Sequence, residues 1–257
     1  MKTKGLTIGL VLAIQLLSCR QSEEYYHYTA RYQQTLGDIA KELALDEKET
    51  GRLADYNQLS LDAPLDARKQ VRIPREILTK KERKFMELLE QVRVYFTKGE
   101  LPTAESLLRE LVLEKPQMSG LYYQLGLVLW REGKDREAYK YLSIAGAYLP
   151  GDPDVAYALG TVSSKLGKGY SAVQHFLDAL AISDRAIYHY SLALAYYDLG
   201  MKEEAGAELK LAVAQEDLPK ILKERAEEYL RQIEAELTSS ETGKIIPLEE
   251  PKPGDGK

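Results

Sequence analysis

Four glycines recur through the middle of this 257-residue chain at a nearly constant step. Gly99, Gly133 and Gly167 lie 34 residues apart, and Gly200 follows 33 residues later. Four alanines keep the same step, each five residues after its glycine: Ala104, Ala138, Ala172 and Ala205. A fixed period of this length indicates stacked supersecondary units, each of which buries its apolar face against its neighbours.

Each unit is expected to be two amphipathic helices joined at the glycine, because glycine adopts the positive φ of such a turn without a steric penalty. The alanine keeps its side chain small where the two helices cross. Pro116 and Pro150 end the second helices of their units. The pattern resembles the tetratricopeptide repeat. The third unit carries it at these positions: Leu159, Gly160, Gly167, Ala172, Phe176 and Ala179.

The resemblance implies a repeat region over residues 79–218, with about four repeats. Residues 219–237 are expected to form a capping helix with one apolar stripe, since solenoids need an end with a polar outer face. The stripe comprises Ile221, Leu222, Ala226, Tyr229, Leu230 and Ile233. Residues 238–257 combine prolines, glycines and charges without periodicity, which predicts a disordered tail.

Cys19, the only cysteine in the chain, directly follows an apolar run. The run is shorter than the roughly 20 residues of a membrane-spanning helix, and two lysines precede it, as in a secretory signal peptide. Leu16-Leu17-Ser18-Cys19 resembles a bacterial lipobox. The resemblance implies a signal peptide at 1–18, a lipidated Cys19 and a linker at 19–26. The alternative is an ordinary signal peptide with an accidental cysteine.

The residue after the cysteine indicates which membrane would hold the anchor. Arg20 stands where an aspartate would indicate inner-membrane retention under the sorting rule of some Gram-negative bacteria. The expectation is therefore an anchor on the periplasmic side of the envelope, with the outer membrane favoured over the inner.

Residues 27–75 are expected to fold as β-α-α-β. Thr35 suits a helix cap before an apolar stripe, and Lys69 to Pro74 alternate polar and apolar residues as an edge strand does. The segment resembles a LysM domain. The matching residues are Tyr28-Thr29, Thr35-Leu36, Ile39-Ala40, Asn57, Leu59 and Val71-Arg72-Ile73-Pro74.

The LysM resemblance implies binding of N-acetylglucosamine units of peptidoglycan. The implied sugar-binding residues are Gln33, Gln34, Thr35, Leu36 and Asn57. Gln33-Gln34 replace the Gly-Asp that the family usually has, although their amides can still donate and accept hydrogen bonds. The alternative is a degenerate module that acts as a spacer or protein contact.

The tetratricopeptide resemblance also implies a partner groove lined by the first helix of each repeat. Its predicted residues are Leu89, Arg93, Phe96, Tyr123, Leu127, Trp130, Tyr157, Tyr190, Leu194 and Tyr197. Tyr123, Tyr157 and Tyr190 occupy equivalent positions, so their rings are expected to form a partly solvated ladder. Such a groove suits an apolar or aromatic-rich peptide or helix. The alternative is that these side chains only pack between repeats.

The chain shows no signature of catalysis or cofactor binding. His27, His175 and His189 have no metal-ligand spacing, and no G-x-S-x-G motif occurs. The net charge of -5 with interspersed signs gives no basic patch for nucleic acid. The expected fold class is mainly α: a small βααβ module followed by an α-solenoid. The expected function is a non-catalytic, lipid-anchored envelope scaffold without metal or cofactor. The alternative is a protein-assembly lipoprotein whose LysM-like module is structural.

Overall fold

The structure is a computed structural model that describes residues 25–66 and 69–242. Cys19, the predicted signal peptide and residues 243–257 lie outside the described residues. The described residues up to Asp184 form one compact unit and those from Arg185 to Thr242 form another, here called the N-terminal and C-terminal units. Within the described ranges, no helix combines the length and apolar character that a membrane span requires.

The N-terminal unit begins with the predicted βααβ module. Its elements are β1 (Tyr25–Thr29), α1 (Leu36–Glu42), α2 (Glu47–Asn57) and β2 (Gln70–Pro74). The two strands pair antiparallel, and β1 begins at Tyr25, two residues before the predicted start of the module. Thr35 caps α1 as predicted: its side chain accepts from the backbone N–H of Asp38, whose carboxylate accepts from the backbone N–H of Thr35.

Three helix pairs complete the N-terminal unit after a single 3₁₀ turn at Arg75–Ile77. The first pair is α3 (Lys80–Lys98) and α4 (Leu101–Glu114), the second α5 (Ser119–Arg131) and α6 (Asp135–Tyr148), and the third α7 (Pro153–Lys165) and α8 (Gly169–Ile182). Gly99 and Gly133 lie in the turns at φ of +80° and +79°, where an L side chain would be strained. All four repeated alanines are fully buried, as their spacing predicts.

The C-terminal unit contains the fourth helix pair, α9 (Ala186–Asp198) and α10 (Lys202–Ala214), followed by α11 (Lys220–Thr242). The helix α11 runs five residues beyond the predicted end of the capping helix, into the segment predicted to be a disordered tail. Leu222, Ala226 and Ile233 are buried as expected. Ile221 is 57% exposed, so its predicted place in the apolar stripe is wrong. It is the second residue of α11, and in this first turn the adjacent Leu222 is the apolar side chain that packs inward.

Two further glycines mark close approaches inside the helix pairs. A Cβ at Gly160 of α7 would lie 2.6 Å from two ring carbons of Phe176 in α8. Phe176 is 2% exposed, so its ring has no space to move away. By contrast, a Cβ at Gly146 of α6 would make only ordinary contacts, at 3.6 Å or more.

We expect these two glycines to respond oppositely to alanine. Gly160→Ala should destabilise the chain by about 1–3 kcal/mol, because overpacking outweighs the gain in helix propensity. Gly146→Ala should stabilise it by about 0.5 kcal/mol, because the unfolded chain loses freedom and nothing clashes. Chemical denaturation of both variants beside the wild type checks the prediction. Equal effects of the two substitutions would contradict the close approach at Gly160.

A charged network joins the first and second helix pairs. Glu105 of α4 accepts from Arg109 Nε at 2.7 Å and from Lys134 Nζ at 2.5 Å. Arg109 also donates to Glu137 Oε2 at 2.6 Å and to the Tyr141 hydroxyl at 2.9 Å, both in α6. Burial alone would raise the pKa of Glu105, but the hydrogen bonds from Lys134 and Arg109 prevail and lower it to about 2. The carboxylate therefore stays ionised and links the two repeats.

Glu105→Gln should lower the free energy of unfolding by about 1.5–3 kcal/mol at pH 7, because the charge-assisted bonds are lost. The folded-state pKa lies below the unfolded one, so this difference is fully present above about pH 4.3 and shrinks as the pH falls towards 2. Urea denaturation at pH 7, 4 and 2.5 measures it. The control is Glu110→Gln, an exposed glutamate on the same helix. A difference that stays constant with pH would refute the assignment.

Candidate functional site

A buried polar cluster surrounds the loop between β1 and α1, with Tyr28 in β1, Arg31 and Gln34 in the loop, and Glu42 at the end of α1. Arg31 and Glu42 form an ion pair with side chains 14% and 12% exposed. The Tyr28 hydroxyl donates to Glu42 Oε2 at 2.7 Å and accepts from Gln34 Nε2 at 3.1 Å. Burial, followed by the charge of Glu42, raises the pKa of Tyr28, so its hydroxyl remains a donor. The cluster fixes the loop from inside the module.

The module packs against the repeats of the same unit. Lys115 Nζ, at the end of α4, donates to the Glu42 carbonyl at 2.8 Å. On the strand side, the Tyr26 hydroxyl donates to Glu87 of α3 at 3.3 Å, and Arg75 pairs with the same carboxylate at 3.1 Å. The module and the first repeats are therefore held together by polar contacts from the end of α1 and from the strand side of the module.

A cleft with a cavity volume of about 420 Å³ opens where the module loop faces the second and third helix pairs. The module side comprises Arg31, Tyr32, Gln33, Gln34, Asp38, Lys41 and Glu42. The repeat side comprises Gln117, Ser119, Tyr148, Leu149, Pro150 and Asp152. The cleft is thus composite: neither the module nor the repeats form it alone.

One wall of the cleft carries a buried acid at the start of α7. Asp152 caps this helix by accepting from the backbone N–H groups of Asp154 at 2.9 Å and Val155 at 3.2 Å. Burial, followed by the charge of Asp154, raises the pKa of Asp152 to about 6, while the two backbone donors and Arg31 act in the opposite direction. Its charge is therefore sensitive to pH near 6.

The five residues predicted to bind sugar do not converge on one site. Gln33 is exposed at a φ of +54°, and Gln34 is 5% exposed and bonded to Tyr28 and Arg31; both line the cleft. Thr35 caps α1 and Leu36 is fully buried in the core. Asn57 lies apart from the cleft.

Asn57 connects the end of α2 to β2. Its Nδ2 donates to the carbonyls of Leu53 at 2.9 Å and Arg72 at 2.8 Å, and its Oδ1 accepts from the Arg72 N–H at 2.9 Å. This geometry occupies the donors and one acceptor position of the amide. The contacts give Asn57 a structural role that accounts for its presence without a ligand.

The residues predicted to line the partner groove are mostly buried. Leu89, Phe96, Tyr123, Leu127, Trp130, Tyr157 and Tyr190 are between 2% and 9% exposed. The expected partly solvated ladder of Tyr123, Tyr157 and Tyr190 is therefore wrong. The Tyr157 ring packs against Phe176 of its own helix pair, at 5.7 Å between ring centroids. In these repeats the ladder positions belong to the packed interior.

Arg93, Leu194 and Tyr197 keep partial exposure. Arg93 is paired with Glu90 on the same helix. The Tyr197 ring lies edge-on to Tyr229 at 5.6 Å, and its hydroxyl accepts from Gln232 at 2.7 Å, both residues of α11 within the C-terminal unit. For Tyr197, packing against the last helix is the observed role.

Sequence reasoning did not single out a row of tyrosines on the second helix pair. The Tyr122 ring stacks on Tyr148 at 5.9 Å and on Tyr141 at 6.5 Å, with interplanar angles of 17° and 23°. Tyr141 and Tyr148 are seven residues apart, two helical turns, and this spacing indicates that they share one face of α6. Arg31 and Glu42 carried no sequence signal, because their partners are distant along the chain.

In the part of the chain that the structure describes, no group of three or more His, Cys, Asp or Glu side chains is arranged to hold a metal ion. His189 Nδ1 lies 2.6 Å from Glu208 Oε2 and links α9 to α10. This pair connects the two helices of the fourth repeat.

No protein-family model and no curated protein sequence matches the chain. Solved structures resemble it. TTC0263, a thermophilic TPR protein from Thermus thermophilus, aligns with a TM-score of 0.51 and 23% identity over 57% of this chain and 81% of its own. The putative kinesin light chain with nearly identical TPR-like repeats from Podosopora anserina aligns with a TM-score of 0.51 and 19% identity over 62% of this chain and 90% of its own. The helix pairs of this chain therefore have the tetratricopeptide-repeat fold, preceded by a small βααβ module.

Proposed function

We propose that this chain is a non-catalytic, lipid-anchored scaffold of the cell envelope that binds peptidoglycan at its N-terminal module and a protein or peptide through its repeats. The observation that carries the proposal is the joint between module and repeats. The two are held by partly buried polar contacts and share an open cleft, so a ligand at the module lies beside the repeat surface. A scaffold needs this coupling of two recognition surfaces.

The protein-binding part rests on the fold and on the surface of the repeats. Tetratricopeptide repeats present extended helical surfaces suited to peptides and helices. Because the predicted ladder is buried, we assign the contact to tyrosines that keep some exposure, namely the half-buried Tyr122 and Tyr141 of the second helix pair and the exposed Tyr170 of the third. Tyrosine offers a large contact area with a polar tip and is enriched at interfaces. The occupant is an apolar or aromatic-rich peptide or helix.

The second candidate is a protein-assembly lipoprotein whose module does not bind sugar. The observation that favours it is the internal bonding of Gln34 and Asn57. Sedimentation with purified peptidoglycan sacculi separates the two candidates, using the chain from Arg20 to Lys257. Retention of the chain on sacculi supports the envelope scaffold. A chain that stays wholly in the supernatant would rule out the peptidoglycan part and leave the assembly role.

The anchor is tested independently of the folded region. Cys19→Ser should leave an uncleaved precursor without lipid, because the cysteine thiol is the acceptor of the diacylglycerol. Metabolic labelling with a palmitate analogue measures the attachment, and membrane fractionation then distinguishes the outer from the inner membrane. An unlabelled wild type, or a labelled serine variant, would end the lipoprotein proposal.

A further inference from the structure

Some of the polar groups that line the composite cleft are hydrogen-bonded to the protein, here called occupied, and others are not, here called unoccupied. The carboxylates of Asp38, Glu42 and Asp152 all accept hydrogen bonds from the protein itself. The side chains of Gln33, Gln117 and Ser119 make no hydrogen bond to any described residue. Tyr32 and Tyr148 add two phenol hydroxyls that likewise make no hydrogen bond to a described residue. The unoccupied groups are thus mainly neutral and can both donate and accept.

The charges at the cleft do not favour a strongly charged ligand. Arg31 and Lys41 contribute two positive charges, and Asp38, Glu42 and Asp152 contribute up to three negative ones. Arg31 is paired with Glu42, so their charges offset each other. Burial raises the pKa of Asp152, which favours the neutral carboxyl group. A neutral ligand that carries hydroxyl and amide groups matches this balance without leaving a buried charge unpaired.

Arg31, one of the residues that line the cleft, carries two orphaned donors. Nε and Nη1 of Arg31 are buried and have no hydrogen-bond partner among the residues that the structure describes. Arginine has donors only, so these atoms require an acceptor oxygen. Both atoms are closed to solvent and Nη1 faces Gly120 of α5, so a ligand in the cleft does not reach these donors, and recognition falls to the amides and hydroxyls that line the cleft.

The mouth of the cleft carries a fixed aromatic ring. Tyr148 is 56% exposed, and its ring stacks on Tyr122 at 5.9 Å, which holds it in one orientation. The ring offers an apolar surface with a polar edge beside the amides of Gln33 and Gln117. A sugar ring combines an apolar face of C–H groups with hydroxyls at its rim, so the two surfaces are complementary.

We propose that this cleft is a composite site for an N-acetylated saccharide, in which the repeats supply Tyr148, Gln117 and Ser119 and the module supplies Tyr32 and Gln33. The inference rests on the proposed peptidoglycan binding and deepens it. The sugar ring lies near Tyr148, and the acetamido group pairs with the exposed amides of Gln33 and Gln117, which both donate and accept. The module alone then holds only half of the site, and the first repeats take part directly in recognition.

Isothermal titration of the chain from Arg20 to Lys257 with chitotetraose tests the proposal. Tyr148→Ala and Gln117→Ala remove exposed side chains on the repeat side, so the fold should persist, and circular dichroism verifies this. We expect Tyr148→Ala to weaken binding about fivefold or more, the effect of losing one aromatic contact. Tyr170→Ala is the matched control, since Tyr170 is 78% exposed on α8 and does not line the cleft. It should bind like the wild type.

The outcomes separate this inference from the proposed function. If the wild type binds chitotetraose and sacculi, Gln33→Ala weakens binding and both repeat-side variants bind normally, the site belongs to the module alone. The composite site is then wrong, while the envelope scaffold stands. If the wild type binds neither probe, both the site and the peptidoglycan part of the proposed function fail. Binding that none of the three cleft variants changes places the sugar elsewhere and overturns the inference.

Discussion

Tyr157→Ala is expected to lower the free energy of unfolding by about 3–5 kcal/mol, the cost of removing a large aromatic side chain from a packed core. Tyr157 is 2% exposed, and its ring packs against Phe176 across the third helix pair. The substitution leaves a cavity between α7 and α8, at the same place where Gly160 allows the two helices to approach. Urea denaturation followed by circular dichroism measures the loss.

Tyr170→Ala is the matched control in the same repeat. Its side chain is 78% exposed, so the change should stay within about 0.5 kcal/mol of the wild type. A loss below about 1 kcal/mol for Tyr157→Ala would contradict the interior position of the ring. Such a small loss would instead support the groove-facing position that the spacing of Tyr157 predicts. A large loss, with partner capture unchanged in the protein that remains folded, would exclude the ring as a partner contact.

Glu42→Ala is expected to destabilise the chain by about 3–5 kcal/mol, because it leaves the Arg31 charge buried without its partner. The substitution also removes the acceptor of the Tyr28 hydroxyl, which lies 2.7 Å from Glu42 Oε2. The side chains of Arg31 and Glu42 are 14% and 12% exposed, so water reaches neither charge freely. Chemical denaturation at pH 7 is the measurement.

The control removes an exposed ion pair from the same part of the chain. Glu76 pairs with Arg52 at 2.5 Å, but the two side chains are 70% and 45% exposed. Glu76→Ala should therefore cost less than about 1 kcal/mol. The double variant Arg31→Met with Glu42→Ala should regain much of the loss of Glu42→Ala, because it leaves no buried charge. Equal stability of the single and double variants would contradict the charge explanation.

Periodicity alone was enough to predict the helix pairs. The turn glycines, the buried alanines and the cap at Thr35 are local features, in which one residue meets a requirement of its own turn or crossing. Because the requirement recurs every 34 residues, several glycines and alanines independently indicate the same helix pair. The module was predictable because its signals are also local. Thr35 caps the helix that directly follows it, and the alternation of polar and apolar residues before Pro74 marks the strand in which it occurs.

The candidate site was much less predictable. The spacing of Tyr123, Tyr157 and Tyr190 gives their shared position on the first helices, but periodicity describes a helix face and not what covers it. Only the tertiary structure decides that these rings are interior while Tyr148 is exposed. The LysM resemblance likewise implies that Asn57 binds sugar, whereas its side chain bonds to the backbone of Leu53 and Arg72 and so has a structural role.

What the sequence by itself determined is the order and type of the elements, because helix caps, turn glycines and apolar stripes act over a few residues. Only the tertiary structure decided the cleft. It joins Gln33 to Gln117 and Tyr148, residues 84 and 115 positions further along the chain. Arg31 is similarly buried beside Gly120. Contacts at such separations follow from how the module packs on the repeats, and no local pattern encodes that packing.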